Sequence, residues 1–98
     1  MTALELPALE ALLASPAAPL LLDVRLPEDF AEAHLPGALN ACVYEVAFPQ
    51  RVPELLPDKA RPVVVYGAAV ASLESLEAAA KLTRLGHTAV HDFRGGLS

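Results

Sequence analysis

The sequence predicts an α/β domain built on a mainly parallel sheet. Two short runs of β-formers, "LLLDV" (Leu20–Val24) and "PVVVY" (Pro62–Tyr66), are apolar at successive positions instead of alternating. That pattern belongs to strands covered on both faces, as parallel strands are. Between and after them lie segments with helical spacing, so strands and helices alternate along the chain.

The elements follow in order. "TALELPALEALLAS" places Leu6, Leu9, Leu12 and Leu13 at helical spacing, with Thr2 as the expected N-cap and Pro7 confined to the first turn. "SPAAP" ends that helix and "LLLDV" is the first expected strand. "PEDFAEAH" is a short helix, with Pro27 suited to its first turn. "LPG" turns the chain into "ALNACV", a second expected strand. "PQRVPELLP" reads as irregular or as one helical turn, because its prolines interrupt it. "PVVVY" is the third strand. The longest helix is expected from Ser72 to Leu85, with Ala78, Ala79, Leu82 and Leu85 on one face and Gly86 just past its end. "TAVHDF" is the last strand, before "RGGLS".

Composition narrows the function. The 98 residues suit one domain, 1–98, with one core. Hydrophobic residues are 54% and aromatic ones 5%, so that core is aliphatic. The net charge is −5 and no Lys/Arg cluster stands out, which argues against nucleic acid and against anionic membrane surfaces. No apolar run approaches the roughly 18 residues of a membrane-spanning helix. The N-terminus carries Glu5 and Glu10 without a basic stretch, unlike a secretory signal. A single cysteine, Cys42, leaves no internal disulfide and suits a reducing cytoplasm.

The residues of "LLDVRLPEDFAEAHLPGALN" resemble the front half of a rhodanese-like domain. That family reads roughly Leu-Asp-Val-Arg, three residues, Glu-Phe/Tyr, two residues, Gly-His-Ile-Pro-Gly-Ala-Ile-Asn. Here Asp23, Val24 and Arg25 match, Asp29 and Phe30 stand at the acid–aromatic pair, and His34, Pro36, Gly37, Ala38 and Asn40 match without a gap. Ala33 replaces the usual glycine. "PVVVY" and "SLEAAAKLTRLGHTAVHDFRGG" are similar to the family's active-site strand, helix, next strand and closing Gly-Gly. The resemblance implies a three-layer α/β fold with a central parallel sheet flanked by helices. Family members continue past Gly-Gly into a further helix, so either that helix is dispensable here or a sheet flank is left partly open, and an open apolar flank would suit self-association or a protein partner.

The resemblance also locates the chemistry. Active rhodaneses carry roughly Cys-x-x-Gly-x-Arg-Ser-x-x-Ala-Ala after the strand. The thiolate takes a sulfane sulfur as a persulfide and hands it to an acceptor. Loop N–H groups and the helix N-terminus stabilise the anion, and the arginine adds charge for an anionic donor. In this chain the loop is Gly67, Ala68, Ala69, Val70, Ala71, Ser72, Leu73, Glu74 and Ser75. Ser75, Ala78 and Ala79 match Ser-x-x-Ala-Ala, which puts Glu74 at the arginine position. Six residues separate Gly67 from Glu74, against four in ordinary rhodaneses and five in some phosphatases of this fold. The nucleophile position is therefore Gly67, Ala68 or Ala69 according to register, and none of these can form a covalent intermediate. A carboxylate about 4 Å from an anionic donor costs roughly 4 kcal/mol at an effective dielectric near 20. Glu74 in the first helical turn instead favours the helix dipole, with Ser72 as the expected N-cap.

The expectation is a catalytically inactive rhodanese-like domain acting as a binding or regulatory module, without a cofactor. Arg25, Gly67, Ser72 and Ser75 are its candidate binding residues. The alternative is sulfur transfer through Cys42, the one possible thiol nucleophile. Cys42 is expected to be a buried structural thiol, on a strand face shared with Asn40 and Tyr44. Asp23 and Arg25 are expected to pair at the strand end. His34 is expected to order the "HLPG" turn, and Gly95 and Gly96 to supply backbone freedom. His87 and His91 share no helix face and lack a third ligand, so no metal site is expected.

Overall fold

The computed structural model describes residues 2–16, 18–69 and 73–96. Among them run β1 (Thr2–Leu4), α1 (Leu6–Leu13), β2 (Leu20–Asp23), α2 (Pro27–Glu32), β3 (Leu39–Asn40), α3 (Phe48–Leu55), β4 (Val63–Tyr66), α4 (Glu74–Arg84) and β5 (Val90–Phe93). The strands form one sheet in the order β1-β5-β4-β2-β3, with every pairing parallel. β2 and β4 pair in register from Leu20↔Val63 to Asp23↔Tyr66.

The unbroken apolar runs are explained by what covers each face. Successive residues of a strand point to opposite sides. Leu22, Val63 and Val65 join a core with Phe48 and Val52 of α3 and Ala78, Ala79 and Leu82 of α4. Leu21, Val64 and Tyr66 join a second core with Leu9 of α1 and Phe30 of α2. Three layers result. The helix α4 ends as expected: Gly86 takes φ 101°, its N–H bonds the Thr83 carbonyl and the His87 N–H bonds that of Leu82. This is a Schellman ending, for which glycine is the least strained residue.

Four expectations are corrected. Thr2 is not a helix cap: it begins β1 and pairs with His91, while α1 starts at Leu6 with Glu5 as N-cap. The demand for a partner along the outer edge of β5 overrides the local helical pattern. "ALNACV" is a strand only over Leu39–Asn40. A turn closed by Glu45 N–H to the Cys42 carbonyl ends the ladder. "PQRVPELLP" is mostly a full helix, α3: Pro49 lies in its first turn, and burial of Phe48 and Val52, one turn apart, offsets the hydrogen bond that Pro53 cannot donate. The N-cap of α4 is Leu73, which makes no side-chain cap, and Ser72 lies outside the described residues.

Two outcomes follow for stability. Leu82→Ala removes a fully buried side chain between α4 and the sheet and lowers unfolding free energy by about 2–5 kcal/mol in urea denaturation. His87 is buried, with no hydrogen-bond partner for Nδ1 among the described residues. Burial and then Lys59 hold its pKa below the ordinary 6.5. The folded state thus favours neutral imidazole, and its contribution is complete above the unfolded value and lost as pH falls below it. The urea midpoint drops between about pH 7.5 and 5.5, and His87→Gln reduces that slope.

Candidate functional site

The C-terminal ends of β2 and β4 face one mouth, where open parallel sheets place ligands. A cavity of about 400 Å³ lies there, lined by Arg25, Leu26, Asp29, Tyr44, Ala68 and Glu74. Each side chain arrives by a traceable route. Arg25 and Leu26 follow β2 directly, and Asp29 is in the first turn of α2. Ala68 follows β4 across Gly67, and Glu74 opens α4.

Arg25 is committed to the scaffold. Its Nε and Nη2 donate to the fully buried Asp23 carboxylate, with Nη2–Oδ2 at 2.7 Å, and Nη2 also donates to the Ala33 carbonyl at 2.6 Å. The hydrogen bond to Asp23 is the main reason the guanidinium pKa is raised. The expected pairing of Asp23 with Arg25 is therefore present, and Arg25 also lines the mouth. His34 acts locally as well, with Nδ1 2.8 Å from the Phe30 carbonyl and its ring stacked on Phe30 at 3.9 Å.

At Gly67 the main feature is what fills its side-chain space. The Glu74 side chain folds back, and its Oε1 accepts the Ala68 N–H at 2.7 Å. A Cβ on Gly67 would lie 2.5 Å from Glu74 Cγ, 2.6 Å from Oε1 and 2.9 Å from Cδ. So Glu74, which the resemblance sets at the family's arginine position, occupies the side-chain space of Gly67, one of the three positions open to the family's nucleophile. Gly96 closes the loop from the other side with φ 63°; a Cβ there would lie 2.5 Å from the Gly67 carbonyl oxygen. Its freedom is needed both for that φ and for the close approach.

The other expected site residues separate. Ser75 is buried, and its Oγ accepts a hydrogen bond from Arg94 Nη1 at 3.3 Å, which ties α4 to the end of β5. Arg94 also pairs with buried Asp92 at 3.5 Å. Cys42 is 2% exposed, whereas Tyr44 is 59% exposed and lines the mouth. The shared face expected for Asn40, Cys42 and Tyr44 is absent, because the strand ends at Asn40. Val70, Ala71 and Ser72 lie outside the described residues. Among the described residues no three of His, Cys, Asp and Glu are grouped to hold a metal, and no helix is long and apolar enough to cross a membrane. No pattern in the sequence marks Tyr44 or Asp29 as a binding residue. Tyr44 reaches the mouth through the turn after Asn40, a tertiary event, and Asp29 is legible only as part of the family's acid–aromatic pair.

A five-stranded parallel sheet between two helical layers, with its mouth at a strand-to-helix loop, defines a class of α/β domains that includes the sulfurtransferases. Residues 5–98 match the Rhodanese-like domain family, and the chain belongs to it. It is 37% identical over 76 residues to the thiosulfate sulfurtransferase PspE of Escherichia coli (strain K12), covering 78% of this chain and 68% of that protein. Among solved structures it is similar to a rhodanese with anions from E. coli, at 36% identity and TM-score 0.69, covering 82% of this chain and 88% of that one. It is also similar to the human single-domain sulfurtransferase TSTD1, at 28% identity and TM-score 0.79, covering 98% and 91%.

Gly67 and Glu74 are expected to be energetically coupled. Gly67→Ala displaces the flexible Glu74 side chain and breaks its bond to Ala68, at a cost of about 1 kcal/mol. In a Glu74→Ala background the same substitution costs clearly less. A four-protein urea denaturation cycle measures the difference.

Proposed function

We propose that this rhodanese-like domain performs no sulfur transfer at its loop and serves as a binding or regulatory module. The observation that carries this reading is the Glu74 carboxylate, which accepts the Ala68 N–H beside a residue, Gly67, that has no side chain. Persulfide chemistry needs a thiolate there and stabilises it with loop N–H groups and positive charge. In this chain the thiol is absent, and the Ala68 N–H already serves a carboxylate. That carboxylate repels an anionic sulfur donor at the position where the family's arginine would attract one.

Sulfur transfer through Cys42 is the second reading. Its burial disfavours it, since a sulfur carrier must meet both donor and acceptor. A single buried thiol suits a reducing cytoplasm as the location.

A thiosulfate-to-cyanide assay tests the proposal. The native chain is expected to match its own Cys42→Ala variant, and turnover above that variant overturns the inactive reading. Native Cys42 is expected to resist iodoacetamide until the chain is denatured. Gly67→Cys alone is expected to stay inactive, because the Glu74 carboxylate remains next to the new thiol and repels both its thiolate and an anionic donor. Gly67→Cys with Glu74→Arg is expected to gain measurable turnover in the same assay.

A further inference from the structure

The charge at the mouth differs from that of a receptor for anions. Asp29 and Glu74 both line the cavity, and no salt bridge reaches either carboxylate among the described residues. Among the described residues the one cation lining it, Arg25, is neutralised by Asp23 at 2.7 Å, behind the wall. Two of the lining residues are also apolar or aromatic and exposed: Tyr44 is 59% exposed and Leu26 49%.

We propose that this mouth docks a segment of another protein that presents a lysine or arginine between apolar residues. The cation would enter the cavity between Asp29 and Glu74, with the Tyr44 ring at its side, and the apolar neighbours would lie on Leu26 and the outer edge of that ring. Charge complementarity selects the occupant. A sulfur-bearing anion meets two carboxylates, whereas an ammonium or guanidinium meets two acceptors and an aromatic face. The exposed apolar rim selects a polypeptide over a free amine, because a small amine leaves that rim in water. The proposal rests on the inactive reading, since it assigns to the mouth a cation in place of a sulfur donor.

The probe is the acetylated, amidated pentapeptide Ala-Leu-Lys-Leu-Ala, titrated into the ¹⁵N-labelled full chain. The expected result is saturable amide shifts at Leu26, Asp29, Tyr44 and Ala68, weakened by added salt. Norleucine in place of the lysine is expected to bind roughly five- to tenfold more weakly, the size of two exposed charge contacts and one cation–π contact. The glutamate peptide is expected to leave those four amides unmoved, and Asp29→Asn to weaken the lysine peptide several-fold in a chain whose other amides keep their positions. Equal binding of the lysine and norleucine peptides, shifts confined to another surface, or no saturation at millimolar peptide overturns the proposal. So does n-butylammonium binding as tightly as the peptide, which would make a free amine the ligand. The two readings fail separately. Thiosulfate turnover overturns the inactive reading, and loss of lysine-dependent binding without turnover overturns the docking proposal alone.

Discussion

A buried carboxylate organises the functional end of this molecule. Asp23 is fully buried at the end of β2, where an unpaired charge would cost several kcal/mol. Its oxygens accept the Arg25 backbone N–H and the Arg25 Nε and Nη2. Arg25 then reaches the Ala33 carbonyl past the end of α2, and the Asn40 side-chain amide bonds the carbonyls of Asp23 and Arg25. Arg51 of α3 closes on the Asn40 carbonyl. Satisfying the acid thus holds Arg25 against the end of α2, and the backbone carbonyls of the same two residues tie in β3 and, through Arg51, α3. Arg25 meets the acid's need and has little capacity left to act as a mobile anion receptor.

The opposite wall depends on a second acid in a different state. Glu74 opens α4, where a negative charge suits the helix dipole. Its carboxylate also turns back to the Ala68 N–H. The Ala68 N–H, just past β4, is thus taken by an anion supplied by the chain itself. The pairing of Gly67 with Glu74 is thus a steric match as well as an electrostatic one: a side chain at residue 67 and the observed Glu74 conformation exclude each other.

The legibility of the fold followed the range of the forces involved. β2, β4 and α4 were readable because burial on both faces, or on one helical face, is written in consecutive residues. Gly86 was readable because a helix ending needs a residue that tolerates positive φ. β1 was not, because three residues next to a helical pattern become a strand only when β5 presents an edge. α3 was not, because its prolines argue locally against a helix that burial of Phe48 and Val52 then supports.

The sequence by itself determined the family frame, the absence of a thiol from the segment after β4 and the presence of an acid at the start of the next helix, because these are matters of residue type and spacing. Tertiary structure alone decided where that acid points, that Tyr44 turns out into the mouth while Cys42 turns in, and that Arg25 is held by Asp23. Each of these depends on groups brought together from separate elements: β4 meets the start of α4, and the end of β2 meets α2 and β3. No local pattern encodes the direction in which a side chain finds its partner across such a junction.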